Sequence, residues 1–486
     1  MMKLLPCVAV FSVMCACAAQ EAAGEGGNDW TRAVVKIEAV TAKADPVCPW
    51  ISRSGGGSGS GAVIAPGRIL TCAHCVADAT FIRVRKHDED GIYHAKTLFA
   101  DHDADLALLA VEEKEFMDGI APLKIGRTPR VQDEVLAVGY PVGGNDISFT
   151  RGIVSRIEDI DYSHSLQTLL GIQIDAALNH GNSGGPVLDM SSGRIAGIAF
   201  QGSDKREGEA LGYIIPPDII RHFLKDVEDG RVDGYSDLLF ARSNLESPAR
   251  RRACKMKSGQ TGVTVDYVDP VLGDSSLRAG DVILEIGSRK VSNNGRIRLD
   301  GGEARSLFYP LYMLQLGEKI PVKALRDGET VETSIVAAKK KSRIRGWMYD
   351  KKPDYLVYGG LVFTTLSYDY IALSDAEFHD DVFSEKKSGG DEAVVISYCL
   401  ADKSIEGYLG CACSLVRSVN GENIRNLRHL ARLLDACKEG FVTFALDRNT
   451  EWDVNVVVDA QEMREATARV MERNMIPADR SEDLRK

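Results

Sequence analysis

The sequence predicts a mainly β protein in which an antiparallel barrel or sandwich domain precedes two related small α+β domains. From Trp30 to about Asp237, short apolar stretches alternate with turn residues, which is typical of an antiparallel barrel or sandwich. The chain has 486 residues, enough for several domains that each bury a core. Beyond residue 350, an order of strands, turn and helix recurs that first occurs between residues 262 and 336. These three observations fix the predicted fold class.

The N-terminus has the composition of a secretory signal. Met1-Met2-Lys3 supplies a basic start, and residues 4–19 form an apolar stretch that is shorter than a membrane span and ends in small residues. We therefore predict a signal peptide at 1–19, cleaved after Ala18 or Ala19, and a spacer at 20–29. Lipid attachment at Cys17 is a minor alternative. An uncleaved membrane anchor is disfavoured because the apolar run is shorter than a membrane span.

Charge and cysteine content exclude some classes of protein. The formal net charge is −11, whereas a nucleic-acid surface needs concentrated positive charge. We interpret the one basic run, residues 339–345, as a solvated linker. Eight of the 11 cysteines lie outside the predicted signal, too few in a chain of this length for a disulfide scaffold.

The first domain is predicted at 30–234 and is built from short strands and one closing helix. Examples of the predicted strands are residues 33–40, 60–64, 68–71, 82–86, 134–139, 172–177, 187–188 and 194–200. The helix is predicted to begin at Pro217, which suits a first-turn position, and to end at Gly230.

The second half is predicted to hold two small domains and a helical end. The first small domain is placed at 235–340, a basic linker at 341–350, the second small domain at 351–460, and a C-terminal helix and tail at 461–486. The helix is expected to start after Asp459.

The stretch Gly181-Asn182-Ser183-Gly184-Gly185-Pro186 is the strongest chemical signal in the chain. Small residues on both sides leave the serine hydroxyl unshielded and let successive N–H groups face one point, as an acyl-transfer site requires. Alone, such a cluster is only a turn.

Two further residues supply what a nucleophilic serine needs. A hydroxyl attacks a carbonyl only if a base removes its proton, and an imidazole does so when an acid holds its tautomer. His74 follows a predicted strand directly, where its ring can project into a cleft. Asp105 is the preferred acid because it runs straight into the buried strand 106–111, whereas Asp101 and Asp103 are interpreted as loop charges.

Together, the motifs T-x-A-H, D-L-A-L-L and G-N-S-G-G-P resemble those of the trypsin-fold serine proteases, and specifically of the HtrA/DegP (Deg) family. Residues 175–179 and 211–216, on either side of the serine, match the family's flanking segments. The two small domains resemble PDZ domains, and their spacing and the segment 360–365 are most similar to plant-type Deg proteases with two PDZ domains. The resemblance implies a trypsin-like double β-barrel followed by two PDZ-like α+β domains.

The resemblance also implies residue roles. His74 would be general base and then acid, Asp105 would orient it, and Ser183 would be the nucleophile. The oxyanion hole would comprise Gly181, Asn182 and Ser183, with the N–H groups of Gly181 and Ser183 as donors. The specificity pocket would be walled by Ile198, Ala199 and Phe200. A charged loop follows, read as an activation loop or as a solvated surface loop: Lys205, Arg206, Glu207 and Glu209.

Two cysteines depart from the family pattern. Cys72 stands where the family commonly has asparagine, and Cys75 follows His74, which gives a C-x-x-C. A metal or redox site is one reading; packing residues, or a disulfide involving Cys75, is the preferred one.

The PDZ-like regions are expected to differ in peptide binding. A PDZ domain adds a peptide beside a sheet edge and captures its terminal carboxylate on glycine-rich backbone. In the first domain the candidate residues are Leu238, Leu239 and Phe240, but leucine replaces the expected glycine and Asp237 would repel a carboxylate. In the second domain they are Gly360, Leu361, Val362 and Phe363. Both domains could instead serve as spacers and oligomer contacts.

The predicted function is an exported, ATP-independent serine endopeptidase for misfolded or damaged proteins. It would be periplasmic or extracellular, would need no cofactor or metal, and would have no transmembrane segment after signal removal. By resemblance it would form a homo-oligomer of trimers or their multiples and bind unfolded substrates and PDZ peptide ligands. The alternatives are a PDZ-bearing chaperone or scaffold with little proteolysis and, less favoured, an esterase.

Overall fold

The computed structural model describes residues 30–142, 144–202, 211–273, 277–374, 378, 391–447 and 454–485. The predicted signal and spacer, and the charged loop from Lys205 to Glu209, lie outside the described residues. No helix in these described ranges is both long and apolar enough to cross a bilayer.

The described chain forms two compact units. The first comprises the chain up to Ala39 together with Gly56–Val76 and Phe81–Lys339, and the second comprises Val40–Gly55, Ala77–Thr80 and the chain from Lys340 onward.

Two closed barrels of antiparallel strands occupy the first half of the chain. The first barrel has the order β1-β2-β3-β6-β5-β4, and the second has the order β10-β11-β12-β9-β8-β7. The strands are β1 (Val34–Ala44), β2 (Ser52–Ala65), β3 (Arg68–Thr71), β4 (Ala79–Lys86), β5 (Tyr93–Asp101), β6 (Leu106–Val111), β7 (Glu134–Gly139), β8 (Ser148–Asp161), β9 (Thr168–Ile174), β10 (Pro186–Asp189), β11 (Ile195–Gly202) and β12 (Gly212–Ile215). The mainly β class and the double barrel are confirmed.

The strands that the sequence predicts well are those buried on both sides. β6 is buried at every position, and its apolar run is unmistakable. β8 was not predicted because most of its residues are half-buried or exposed, so polar side chains interrupt its apolar pattern. The predicted closing helix is present as α1 (Pro217–Asp226), with proline in its first turn.

The first PDZ-like region is a six-stranded sheet that belongs to the first unit. Its order is β13-β14-β15-β19-β20, with β16 paired to β15, and β17 and β18 form a separate hairpin. The elements are β13 (Phe240–Asn244), α2 (Pro248–Ala253), β14 (Val263–Val268), β15 (Val282–Ile286), β16 (Arg289–Lys290), β17 (Arg296–Arg298), β18 (Ala304–Ser306), α3 (Tyr309–Tyr312), β19 (Lys319–Arg326) and β20 (Glu329–Val336). β13 pairs only with β14 among the described strands, so it is an edge strand.

The second PDZ-like region is a seven-stranded sheet with order β21-β22-β23-β24-β26-β27, and β25 pairs with β24. Its elements are β21 (Tyr355–Tyr358), β22 (Leu361–Thr365), α4 (Tyr368–Ser374), β23 (Val394–Cys399), β24 (Ser414–Val419), β25 (Glu422–Asn423), α5 (Leu427–Ala436), β26 (Phe441–Asp447), β27 (Val454–Asp459), α6 (Ala460–Arg473) and α7 (Glu482–Arg485). The carboxylate of Asp459 accepts hydrogen bonds from the N–H groups of Gln461 and Glu462, which caps α6 at its predicted start.

The basic run 339–345 is not simply solvated, so that interpretation is wrong for part of it. Lys339 forms an ion pair with Asp103 in the first unit. In the second unit, Arg345 pairs with Asp354 at 2.8 Å and with Glu392 at 2.7 Å. Positive charge here neutralises carboxylates of the folded chain, which its sequence position does not reveal.

Candidate active site

Gly184, in the turn that carries Ser183, occupies a position where no side chain larger than hydrogen fits. Gly184 has φ of +82°, and a Cβ placed there would lie 2.1 Å from Thr71 Oγ1 and 2.2 Å from the Ser60 carbonyl oxygen. Because both neighbours belong to the first barrel, the absence of a side chain lets the turn of the second barrel touch the first. Gly184 is therefore required by both backbone conformation and space.

Ser60 ties the turn to the first barrel, and sequence analysis missed this role. The Ser60 N–H donates to the Ser183 carbonyl at 2.8 Å, and the Ser60 hydroxyl donates to the Gly181 carbonyl at 2.7 Å. The same hydroxyl accepts from the Tyr140 N–H at 2.8 Å. Ser60 stands in a glycine- and serine-rich part of β2, so the local sequence gives no signal of this role.

His74 lies on a short 3-10 turn, Ala73–Cys75, directly after β3. Asp105 Oδ2 is 2.7 Å from His74 Nδ1, and Asp105 Oδ1 accepts from the His74 N–H at 2.8 Å. Asp105 is 1% exposed, whereas a third of the His74 side chain is exposed. The buried carboxylate thus fixes both the backbone and the ring of the histidine through Nδ1, which leaves Nε2 as the nitrogen that can act on a substrate.

Some N–H groups of the serine turn donate hydrogen bonds within the fold, and others are available to a substrate. The N–H of Asn182 donates to the Asn179 carbonyl at 3.0 Å, and that of Gly184 to the Ala199 carbonyl at 2.7 Å. Within the described part of the chain, the N–H groups of Gly181 and Ser183 donate to no acceptor. Of the three residues predicted for the oxyanion hole, these two have donors available for a developing oxyanion.

The Ser183 hydroxyl donates to the Phe200 carbonyl at 3.5 Å, and no hydrogen bond joins it to His74 among the described residues. Such a contact is often long or absent before substrate binds. The Cys75 thiol reaches the Ser183 carbonyl at 3.5 Å, so the serine turn and the histidine segment are in contact.

The predicted pocket wall lies beside the serine turn. Ile198, Ala199 and Phe200 belong to β11 and are at most 4% exposed. The Phe200 ring packs against Tyr162 with a centroid distance of 4.6 Å. β11 therefore meets the serine turn through its backbone carbonyls, while these apolar side chains are buried.

Cys72 and Cys75 are free thiols that flank the histidine. Burial, together with a hydrogen bond to Cys75, raises the pKa of Cys72 well above its usual value. The Cys72 hydrogen bond and then the His74 charge lower the pKa of Cys75 despite its burial. Burial alone would lower the pKa of His74, but Cys75 and Asp105 together raise it well above its usual value.

One cluster of possible metal ligands occurs among the described residues, and it lies within this site. The ligand atoms of Cys72, His74 and Asp105 are all within 4.8 Å of one another. Two of the three already face each other across the hydrogen bond between histidine and aspartate.

Asp101 and Asp103 were interpreted as loop charges, and this is wrong for Asp101. Asp101 is 1% exposed and accepts from the N–H groups of Asp103 and Ala104 at 3.0 and 3.3 Å. Burial and the neighbouring Asp103 raise the pKa of Asp101 to about 7. These bonds shape the loop that leads into Asp105, whose own φ is +53°.

A pair of histidines that was not predicted from the sequence, His102 and His164, lies next to His74. His164, in the loop between β8 and β9, lies 6.1 Å from His74 between ring centroids. His102 Nδ1 is 2.9 Å from His164 Nε2. Nothing in the residues near His164 signals this contact, because 62 positions separate it from His102.

The residues predicted for peptide capture are mostly buried. Leu239 and Phe240 are at most 3% exposed in the core of the first PDZ-like region, and Leu238 is half-buried. In the second region, Leu361, Val362 and Phe363 are fully buried, and β22 is paired on one side with β21 and on the other with β23.

The N–H next to the predicted capture residue Gly360 is engaged as well. The N–H of Gly359 donates to Thr467 Oγ1 at 2.8 Å. An added peptide strand therefore finds no free edge at β22.

A substitution at Gly184 tests how closely the serine turn is packed. We expect Gly184→Ala to lower the unfolding temperature strongly or prevent folding, because its Cβ would overlap both Thr71 and Ser60. The control is Gly193→Ala, where φ is +64° but nothing lies within 4 Å, so only a conformational cost of about 1 kcal/mol applies. Thermal unfolding of both variants measures the difference, and equal losses would contradict the close packing of the serine turn.

Two protein-family models agree with this architecture. Residues 59–198 match the family model of the trypsin-like peptidase domain, and residues 344–483 match that of the PDZ domain. "HtrA-type protease AlgW with decapeptide" is a solved structure with 25% identity and a TM-score of 0.47, over 63% of this chain and 95% of that one.

Two curated relatives match along most of their length. The chain is 35% identical to "Protease Do-like 2, chloroplastic" of Arabidopsis thaliana, over 93% of this chain and 75% of the relative. It is 34% identical to "Protease Do-like 4, mitochondrial" of the same plant, over 92% of this chain and 84% of the relative. With a trypsin-like domain, a PDZ domain and this extent of identity, the chain belongs to the Deg/HtrA family of serine endopeptidases.

Proposed function

We propose that this protease cleaves misfolded or damaged exported proteins without ATP, through a Ser183–His74–Asp105 acyl-enzyme mechanism. The observation that carries the proposal is the double hydrogen bond from His74 to buried Asp105, next to a serine turn with two N–H groups available. We also propose export by the N-terminal segment to the periplasm or outside the cell, with lipid attachment at Cys17 as the minor alternative. Assembly into trimers or their multiples is part of the same proposal.

The proposed reaction follows from the positions of the three side chains. As Ser183 Oγ attacks the peptide carbonyl, His74 Nε2 accepts the hydroxyl proton, and Asp105 stabilises the imidazolium through Nδ1. The N–H groups of Gly181 and Ser183 donate to the carbonyl oxygen as it becomes an oxyanion. His74 then protonates the leaving amine, and water, deprotonated by the same nitrogen, hydrolyses the acyl-enzyme.

The proposed substrate preference rests on the wall of β11. By resemblance to the family, an apolar wall of Ile198, Ala199 and Phe200 favours small or medium aliphatic residues before the cleaved bond. Such residues are exposed when a protein unfolds, since they are normally buried. The PDZ-like regions would bind peptide segments or regulate access.

A chaperone or scaffold with little proteolysis is the second candidate. It is favoured by the Ser183 hydroxyl, which donates to Phe200 and not to His74. A raised pKa of His74 also keeps the base protonated, and so unable to accept the serine proton, up to a higher pH. The complete set of catalytic side chains favours the protease.

The nucleophile assignment has a direct test. We expect the protein lacking residues 1–19 to degrade casein without ATP and to react with a fluorophosphonate, and Ser183→Ala to lose both properties, because the attacking oxygen is gone. Gel electrophoresis and fluorescence of the label measure them in parallel. Persistent proteolysis in the variant would refute the assignment; absence of both activities in the wild type, with unfolded clients still protected from aggregation, would favour the chaperone.

The thiol beside the base is expected to set the acid limb of the pH profile. Only neutral His74 can accept the serine proton, so a raised pKa means that kcat/KM rises at higher pH than the usual value of about 6.5. Cys75→Ala removes one cause of the raised pKa and should move this limb measurably to lower pH. Cys254→Ala, far along the chain in the first PDZ-like region, is the control; an unchanged limb in Cys75→Ala would contradict the coupling.

A further inference from the structure

Two cysteines of the second PDZ-like region face each other across a loop. Cys399 ends β23, and Cys411 ends a short 3-10 turn, Leu409–Cys411, that precedes β24. Their Sγ atoms lie 3.4 Å apart, and both side chains carry thiols in this structure. The two residues are 12 positions apart in the chain and belong to the second compact unit. The serine chemistry described above uses neither of them.

The two thiols differ in their exposure to solvent. Cys411 is 3% exposed and belongs to the hydrophobic core of this region, whereas Cys399 is half-buried and packs against the same core. A reagent in solution can therefore reach the sulfur of Cys399 first. The sulfur of Cys411 is reached from Cys399, its neighbour at contact distance.

The β-sheet holds both ends of the loop in place. Cys399 pairs with Leu361 in the register of β22 and β23. On the other side of the loop, and only two positions after Cys411, the N–H of Cys413 donates to the Ile396 carbonyl at 2.8 Å. The encounter of the two sulfurs is thus a fixed feature of the fold. A disulfide has an S–S distance of about 2.05 Å, so a small side-chain movement brings these sulfurs into bonding range.

The loop between the two cysteines, residues 400–410, covers part of the core. Ile405 is fully buried, and a Cβ on Gly360 would lie 2.6 Å from its Cδ1 atom, so the loop packs on the turn between β21 and β22. The Asp402 carboxylate accepts from Arg469 of α6 at 2.7 and 3.0 Å. A covalent bond between the ends of this loop would hold it against both the turn and α6.

We propose that Cys399 and Cys411 form a disulfide that closes this loop. The oxidant is another disulfide, either of a small thiol or of a thiol oxidoreductase, as found in compartments that receive exported proteins. The inference rests on the proposed export only for the presence of this oxidant.

The reaction is a thiol–disulfide exchange in two steps. The Cys399 thiolate attacks the external disulfide, which gives a mixed disulfide and releases one thiolate. The Cys411 thiolate then attacks the Cys399 sulfur and releases the second. Two protein thiols are oxidised, the external disulfide is reduced to two thiols, and the two protons of the cysteines pass to the released thiolates.

This pair differs from Cys72 and Cys75, which the sequence singled out. The Cys72 thiol contacts the Ala199 carbonyl at 3.3 Å, and the Cys75 thiol contacts the Ser183 carbonyl at 3.5 Å. Joining those sulfurs would disturb contacts of the serine turn, on which the proposed reaction depends. The pair in the second PDZ-like region can be oxidised without any change at the serine turn.

The test uses the Ser183→Ala protein lacking residues 1–19, so that its outcome is separate from proteolysis. Folded protein is equilibrated with mixtures of reduced and oxidised glutathione, starting from both oxidation states, and remaining thiols are blocked with N-ethylmaleimide. Tryptic peptides are then compared by mass spectrometry with and without reduction. Cleavage after Lys403 separates the two cysteines, so the bond appears as two joined peptides, and fragmentation at Ala412 distinguishes Cys411 from Cys413.

We expect the bond between Cys399 and Cys411 to form with an equilibrium constant at least about tenfold larger in the folded protein than in urea. The reason is that the fold holds the sulfurs in contact, whereas the unfolded chain has to close a loop to join them. By the same linkage, oxidation should raise the unfolding temperature of the protein.

Cysteine variants assign the rise in unfolding temperature to this pair. Cys399→Ser, at the half-buried position, should remove the difference between oxidised and reduced protein. Cys437→Ser is the matched control and should keep it, because this half-buried thiol of the same region contacts the Glu439 carbonyl at 3.7 Å and lies outside the loop. The peptide mapping needs neither variant, so it decides the proposal even if Cys399→Ser fails to fold.

Four outcomes would overturn the proposal. The first is folded protein whose two thiols stay reduced in oxidised glutathione, and the second is glutathione attached to Cys399 with no internal bond. The third is a bond from Cys411 to Cys413 or to any cysteine other than Cys399. The last is an equilibrium constant that is no larger in the folded protein than in urea.

Discussion

Backbone contact between the two barrels at Gly184 is the constraint on which the site depends. The Ser183 carbonyl accepts from the Ser60 N–H, the Gly184 N–H donates to the Ala199 carbonyl, and the missing side chain of Gly184 leaves room for Thr71. The nucleophile belongs to the second barrel and the base to the first. Only a close, fixed contact between the barrels can bring the two within reach of one substrate carbonyl. A displacement of either group by about 1 Å can greatly lower the reaction rate.

The charged and ionisable groups around His74 set the tautomer and the pKa of the base. Asp105 is buried and binds both the main chain and the ring of the histidine, so the carboxylate fixes its tautomer as well as its position. The two thiols add a feature that the triad alone does not have. Cys72 and His74 lower the pKa of Cys75, and Cys75 in turn raises the pKa of His74, so the protonation of the base depends on residues that take no part in the reaction.

Residues whose chemistry depends on local sequence could be predicted, and those that depend on distant contacts could not. His74, Asp105 and Ser183 each stand in a short characteristic stretch, and the structure brings the first two into hydrogen bonding and places the third on an adjacent turn. Ser60 and His164 act through partners that are 121 and 62 positions away, respectively, so no local pattern identifies them. β8 was missed for a related reason, because its faces are not cleanly apolar and polar. The peptide edge predicted at β22 depends on whether another strand covers it, and β21 does so.

The central claim is that Asp105 prepares His74 to activate Ser183. The most direct measurement is the second-order rate constant for fluorophosphonate labelling of the Asp105→Asn variant at neutral pH, with the labelled residue identified by mass spectrometry. The account predicts labelling at Ser183 in the wild type, and a loss of about a thousandfold or more in the variant, because asparagine cannot stabilise the required tautomer and imidazolium. Labelling at another residue, or an unchanged rate in the variant, would contradict it.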